Sequence, residues 1–373
     1  MNKKRIDWTV TLFLILNPLF SLVLLAIFLS IGSIPLSVLV FSLLFAAATN
    51  LSITAGYHRL FAHRSYEAHP VLKVLLLLVG ASAFQGSALK WSSDHRRHHS
   101  HEDTPNDPYS IKKGFWYAHM GWMFYQESGN LEIKARDLEK DWWIQNQHKH
   151  YLLWSIGMGF LFPTVFGWLC GSAFAGLVVG GALRIFITQQ STFFVNSLCH
   201  YFGSQPYSKE ITARDSFIVA ILTHGEGYHN FHHKFQLDYR NGIRWYHWDP
   251  TKWMINFFKW LGLAKRLKTI SAQEILKARL QVEALIIKKK GLSQEKIESL
   301  RLRILEAQNQ WKQLGEEYDR RKNQFTESSQ VCLQDLQLQI KELKLQIKRA
   351  RADFKFSMEE WKLYTNTISK QIT

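Results

Sequence analysis

Apolar and polar positions along the chain fall into three regimes. From Val10 to Ile31 and from Ile34 to about Thr54 nearly every position is apolar, and no charged side chain occurs between Asp7 and Arg59. A second charge-free interval, between Lys149 and Arg184, holds two more apolar runs. Each interval has room for two crossings of ~20 residues, so the pattern predicts spans at about 10–31, 34–54, 151–168 and 172–187. Val71 to Phe84 is apolar but too short to cross, and predicts a helix lying in the interface or packed beneath the polar segments.

The third regime follows Pro250, the last of eight prolines. From Ser271 onward the residues are strong helix formers. Ile297, Leu300, Ile304, Ala307, Trp311, Leu314 and Tyr318 step alternately by three and four, as do Leu333, Leu336, Ile340, Leu343, Ile347, Ala350 and Phe354. Continuing the first seam gives Arg321, Phe325, Ser328 and Cys332, one residue out of phase with the second. The pattern therefore breaks around residues 323–330, through a slip in one long helix or a turn into an antiparallel hairpin. The predicted architecture is all-α: a polytopic membrane protein with four transmembrane helices and a cytoplasmic helical cap in residues 1–265, then a C-terminal coiled-coil extension over 271–373.

Histidines crowd the segments between the apolar runs. On a helix, positions i, i+3 and i+4 share one face, so His95, His98 and His99 in WSSDHRRHH aim three rings into one volume. The spacing recurs at His229, His232 and His233 in GEGYHNFHH, and a wider pair, His58 and His63, lies in GYHRLFAHR. Imidazole suits Zn, Cu, Fe and Ni, and eight such ligands exceed the needs of one four-coordinate zinc, so two metals are the simplest count. His200, one helical turn after Asn196, is a further candidate, although on spacing alone a hydrogen-bonded core histidine is the plainer reading. Asp94, Glu102, Asp103, Asp107 and Glu226 are candidates to orient the rings from behind.

A formal net charge of +16, with the runs Lys288–Lys290 and Lys348–Arg351, would allow a nucleic-acid partner. Four spans account for it better, because cytoplasmic segments collect Lys and Arg and face anionic lipid, so no nucleic acid is expected. The turns at 32–33 and near 170 carry no charge while the flanking segments on the other side are basic, which predicts both termini and all three boxes on the cytoplasmic face. Cys170, Cys199 and Cys332 form no CxxC pair and fit a reduced compartment.

The boxes in this setting resemble the integral membrane fatty acid desaturases. The finer match is to the acyl-CoA delta-9 type, similar to stearoyl-CoA desaturase, through GYHRLFAHR at 56–64, AFQ at 83–85, WSSDHRRHH at 91–99, NSLCH at 196–200 and GEGYHNFHH at 225–233, and it covers about residues 8–265. The resemblance implies two Fe2+ ions held by His58, His63, His95, His98, His99, His200, His229, His232 and His233, with Asn196 bound through water and no catalytic residue beyond these ligands. It implies O2 as co-substrate, a cis double bond introduced into a fatty acyl-CoA, and a substrate tunnel lined by Gln85, Trp91, Thr192 and Phe193, the last replacing a tryptophan common in animal members. Animal members carry basic residues at the positions of Ser93, Gln126 and Glu127, so the carrier here is either CoA held by other groups such as Lys112 and Lys113, or a glycerolipid in an acyl-lipid desaturase.

No histidine follows His247, so the extension is expected to be an interaction element, with a homo-oligomer as its expected product. Electrons are then expected from a separate donor, cytochrome b5 or ferredoxin, and a bacterial inner membrane is favoured over the endoplasmic reticulum. The competing readings are a membrane di-iron hydroxylase, whose first box is usually HxxxH, and a non-catalytic scaffold holding structural zinc.

Overall fold

The computed structural model describes residues 5–125, 135–288, 293–327 and 333–371. Gln126, Glu127, the end of the Lys288–Lys290 run, Cys332 and positions 328–330 of the seam break lie outside the described residues. The architecture is helical apart from Glu67–Ala68 and Ala264–Lys265, which pair antiparallel. The chain divides into two compact units, Met1–Gln205 with Lys209–Thr269, and Ile270–Thr373 with Pro206–Ser208.

Among the described residues of the first unit, four helices are long and apolar enough to cross a membrane: Trp8–Ser30, Leu36–Ala62, Tyr151–Leu169 and Ala173–Tyr201. The chain is a multi-pass membrane protein. Asp7 starts the first helix by accepting from Val10 N at 3.1 Å. The second and fourth helices run past their apolar stretches into polar sequence, and those extensions carry His58 and His200. The third and fourth helices pack through glycine: a Cβ on Gly176 would lie 2.2 Å from Pro163 O. Buried Arg184 ties the spans together, donating to Gly180 O at 2.7 Å, Thr49 Oγ1 at 3.1 Å and Ser82 O at 3.1 Å. Backbone dipoles and the Phe45 ring, 4.4 Å away, thus take the place of a counter-ion. The short apolar stretch is the helix Pro70–Ala81, which buries Leu72, Leu76 and Leu77 and exposes Val71 and Leu75.

Among its described residues the second unit has three helices, Ala272–Lys288, Gln294–Glu327 and Leu333–Gln371. Ser271 and Glu274 form a reciprocal cap at the first: Glu274 N donates to Ser271 Oγ at 3.2 Å, and Ser271 N to Glu274 Oε2 at 3.3 Å. The other two are antiparallel, since Arg303 pairs with Glu360 at 2.8 Å and Trp311 packs on Phe354 with ring centroids 5.7 Å apart. Of the two arrangements the sequence left open, the hairpin is the one observed. Leu280, Ile287, Ile297, Leu300, Ile304 and Trp361 form the core, and Trp361 Nε1 donates to Glu283 Oε2 at 2.7 Å. Farther along the hairpin the seam residues Trp311, Leu314 and Tyr318 are only half-buried.

Candidate metal centre

The first box lies where the second membrane helix widens. Ile53–Ala62 is a π-helix, and His63 N donates to His58 O, five residues back, at 3.0 Å. On an α-helix positions five apart diverge by ~140°, whereas a π turn brings them onto one face. The HxxxxH spacing thereby becomes a convergent pair, with ring centroids 4.8 Å apart. Arg59, within the same turn, is fully buried and fixes it to the third box, donating to Glu226 Oε1 at 2.9 Å and to Asp249 Oδ1 at 3.0 Å. Gly225 sits at φ +102° against that network, where a Cβ would lie 2.7 Å from Asp249 Oδ1, so the GEG of the third box has a steric cause.

The second box lies on the helix Ala88–His101, capped by Ser87, and the third on the short helix His229–Lys234, where Phe231 N donates to Asp215 Oδ1 at 3.0 Å. Nine imidazoles assemble into two groups, each with its ligand nitrogens within 4.8 Å of one another: His58, His63, His95, His99 and His232, and then His98, His200, His229 and His233. The expectation that one HxxHH box fills one volume is corrected here. His95 and His99 enter the first group and His98 the second, while the third box reverses the division, with His232 in the first group and His229 and His233 in the second. Adjacent residues lie ~100° apart around a helix, so i and i+4 can chelate one ion while i+3 turns to the next. Stacked rings of His99 and His233, 4.2 Å apart, join the groups.

Carboxylates fix the ring tautomers. His58 Nδ1 lies 2.9 Å from Glu226, His98 Nδ1 2.9 Å from Asp107 and His233 Nδ1 2.6 Å from Glu102. His200 Nδ1 contacts Thr212 Oγ1 at 2.9 Å, and that hydroxyl donates to Asp103 at 2.8 Å. An ionised carboxylate only accepts, so each such Nδ1 carries the proton and Nε2 keeps a lone pair. Ring Nε2 atoms face one another across the first group: His63 to His95 at 2.8 Å, His95 to His99 at 3.0 Å, His99 to His232 at 3.1 Å, His232 to His58 at 3.0 Å. In the second group His229 meets His200 at 3.2 Å and His233 at 3.0 Å, and buried His98 Nε2 has no hydrogen-bond partner. Converging lone pairs need a cation, and edges near 3 Å match a ligand shell with metal–nitrogen distances of about 2.1 Å. The residues present therefore fit one metal ion in each group.

Burial, reinforced by the neighbouring imidazoles, holds His63, His95, His99, His229, His232 and His233 well below the usual histidine range, so they are neutral and able to ligate. Burial would raise Glu226, but His58 and Arg59 outweigh it and hold the carboxyl at about 2. Asp107 is likewise held down against burial by its hydrogen bond with His98. Burial, then Asp103 and Asp107, pushes Glu102 up to about 8; the positive charge of metal ions held by the neighbouring imidazoles would favour its ionised form, in which it accepts from His233 Nδ1.

A cavity of about 760 Å³ borders the first group and is lined by His58, His95 and Glu226, by Asn196, and by apolar Phe13, Leu14, Ile53 and Phe84. Gln85, Trp91, Thr192 and Phe193 also line it. Gln85 Nε2 donates to Thr192 Oγ1 at 2.9 Å, and Trp91 stacks on His95 with centroids 4.9 Å apart. Asp94 pairs with Lys90 at 3.0 Å and lines the cavity. Lys112 and Lys113, candidates for carrier phosphates, donate to the carbonyls of Asp103 and Asp107 at 2.9 and 2.7 Å and brace the loop after the second box. Arg59, Tyr109 and Thr212 escaped sequence reasoning; Tyr109 OH contacts His95 Nδ1 at 3.3 Å. Only for Arg59, which sits inside the first box, was there a signal in the sequence.

A helical multi-pass protein with paired imidazole clusters beside an apolar cavity belongs to the class of histidine-box membrane metalloproteins. A sequence model of the fatty acid desaturase family matches residues 33–256. "Acyl-CoA desaturase 1" of Saccharomyces cerevisiae is 45% identical over 267 residues, covering 69% of this chain and 52% of the relative. "Probable acyl-CoA desaturase" of Schizosaccharomyces pombe is 45% identical over 248 residues, covering 65% and 51%. "Stearoyl-CoA desaturase 5" of Bos taurus is 37% identical over 234 residues, covering 61% and 70%. This chain belongs to the fatty acid desaturase family, and its match spans about half the length of the two yeast relatives.

Proposed function

We propose that the chain is an O2-dependent fatty acyl desaturase that introduces a cis delta-9 double bond into a saturated acyl chain carried on coenzyme A. The observation that carries this reading is the cavity of about 760 Å³, in which imidazoles and an apolar lining border the same space. Its volume is within the range of ~300–1,000 Å³ common for ligand sites. Two ferrous ions held by the nine histidines would supply the redox power, with O2, to remove hydrogen from an unactivated methylene.

The chain's own residues do the rest. Glu226, Asp107 and Glu102 hold protons on Nδ1 of His58, His98 and His233, which keeps Nε2 free and the rings fixed. Asn196, one turn before His200 and facing the cavity, is placed to orient a water. Phe13, Ile53 and Phe84 exclude bulk water, and the Gln85–Thr192 bond narrows the space an acyl chain can occupy. Overall, two C–H bonds break and one C=C forms; those two hydrogens, with two electrons delivered one at a time by a donor and two protons from water, convert O2 to two waters.

That donor is a separate carrier, cytochrome b5 or ferredoxin, drawn to a basic cytoplasmic face. In this reading both termini and the metal centre face the cytoplasm. For compartment, the sequence favours a bacterial inner membrane, whereas the relatives named above are all eukaryotic and draw the reading toward the endoplasmic reticulum. A glycerolipid-bound acyl chain is the second reading, favoured by Ser93 and by the engagement of Lys112 and Lys113 with loop carbonyls. The test is expression in a desaturase-deficient host, with double-bond position in free acyl-CoA and in glycerolipid followed over time by mass spectrometry, beside His98→Ala. A delta-9 monoene appearing first on CoA, from the parent chain only, is expected. Hydroxylated products, or tightly bound zinc without activity, would overturn the reading.

A further inference from the structure

The third helix of the second unit, Leu333–Gln371, has two apolar faces. One, through Leu336, Leu343, Ala350, Phe354 and Trp361, packs inside the hairpin. The other runs through Leu338, Leu345, Ala352, Phe356 and Leu363, within a sector of ~40° on the opposite side of the helix at 100° per residue. Leu338 is 66% exposed, Leu345 50%, Phe356 59% and Leu363 68%, so this face contributes little to the hairpin core. Leu338 and Leu363 are 25 positions apart, about 38 Å along the helix at 1.5 Å per residue.

The stripe is palindromic. Leu338 and Leu363 lie as far to either side of the midpoint between Ala350 and Arg351 as Leu345 and Phe356 do, with exposed Ala352 beside the centre. A second copy laid antiparallel therefore sets Leu338 on Leu363 and Leu345 on Phe356, and each contact occurs twice. The flanking charges agree with this register. On one flank Lys341 meets Glu359 of the other copy, and on the other Arg349 meets Asp353; all four are exposed and none makes an ion pair among the described residues. Like charges also approach: Glu342 meets Glu360, which already pairs with Arg303, Lys348 comes near Lys355, and Arg349 comes near its own symmetry mate beside the axis, where Asp353 of each copy offsets it.

We infer that this face is a homodimer interface: two copies of the chain associate through antiparallel packing of their Leu333–Gln371 helices about a two-fold axis near residue 350. The dimer is independent of the desaturase chemistry proposed above, and its test does not require activity. The full chain, purified in detergent, is weighed by light scattering with detergent subtracted, and its helicity is followed by circular dichroism. The parent chain is expected at twice the chain mass. Leu345→Glu should bring it to the single-chain mass at the same concentration with helicity unchanged. Lys341→Glu or Glu359→Lys alone should raise the dissociation constant at least tenfold, and the double variant K341E/E359K should restore the dimer. A monomeric parent chain would overturn the inference, including the case where Leu345→Glu instead abolishes binding to anionic vesicles, which would mark the face as a membrane contact. So would a dimer whose mass ignores Leu345→Glu, or charge swaps that fail to rescue each other, since only an antiparallel self-pairing couples residues 341 and 359.

Discussion

The two imidazole groups are built from the same residue type and even from the same sequence boxes, yet they are buttressed differently. Among the described residues, the five-nitrogen group of His58, His63, His95, His99 and His232 has one carboxylate hydrogen-bonded behind it, Glu226 on His58, plus the neutral Tyr109 hydroxyl on His95. The four-nitrogen group of His98, His200, His229 and His233 has three: Asp107, Glu102 and, through Thr212, Asp103. One group gathers ligands, and the other gathers negative charge behind fewer ligands. Carboxylates behind a histidine raise its basicity and hold its orientation, so the smaller group makes up in field what it lacks in number.

Removing a ligand should break this symmetry most strongly. His98→Ala takes the second group from four imidazoles to three and His63→Ala takes the first from five to four. Each is expected to abolish desaturation, but H98A should lose about one metal equivalent per chain while H63A retains part of its ion, because three protein ligands leave a more open site than four. Metal content by mass spectrometry of the purified chain decides it; equal losses would mean that ligand number does not set retention.

Glu226→Gln and Asp107→Asn probe the buttresses. Each should weaken metal binding in its own group by about 10–100-fold, the usual cost of losing such a partner. E226Q should also lower thermal stability, by an amount on the order of 1–3 kcal/mol, because Glu226 shares buried Arg59 with Asp249. D107N removes no such ion pair, and its melting point should move less. A larger stability loss from D107N would show that the loop after the second box, not the Arg59 network, holds the centre together.

How much of this was legible in the sequence follows from which contacts are local. The four apolar runs, the helical tail and the histidines themselves are patterns of period or composition, and they were visible. That His98 and His99 enter different groups was not, because adjacent residues on one helix are sorted by partners from other helices, here His200 and His233 against His63 and His232. The π turn was hidden for a related reason: an α-helix is the default for an apolar run, and only the five-residue spacing of His58 and His63 hinted otherwise. Asp94 looked as good a buttress as Asp107, yet its place on the helix turns it toward Lys90. The choice between hairpin and slip in the tail likewise depended on cross-helix pairs such as Arg303 with Glu360.

The smallest expected effect concerns the element that both groups share. Asp215 accepts from Phe231 N at 3.0 Å and so caps the helix that gives His232 to one group and His229 and His233 to the other. Burial pushes its carboxyl up to about 7 from the ordinary 3.8. Between those two values the folded chain keeps a proton that the unfolded chain has released, so the contribution of Asp215 to stability is full below pH ~4 and is lost as pH rises toward ~7. Asp215→Asn keeps an accepting oxygen but cannot ionise, and should flatten the fall in melting temperature between pH 5 and pH 8 in metal-free protein. An unchanged slope would place the titration elsewhere. Asp215→Ala removes the cap altogether at a cost of ~1 kcal/mol, and because the helix feeds both groups it should weaken both metals alike, where D107N and E226Q each weaken one. A loss confined to a single group would mean that the two sites are held by their carboxylates and not by the shared helix.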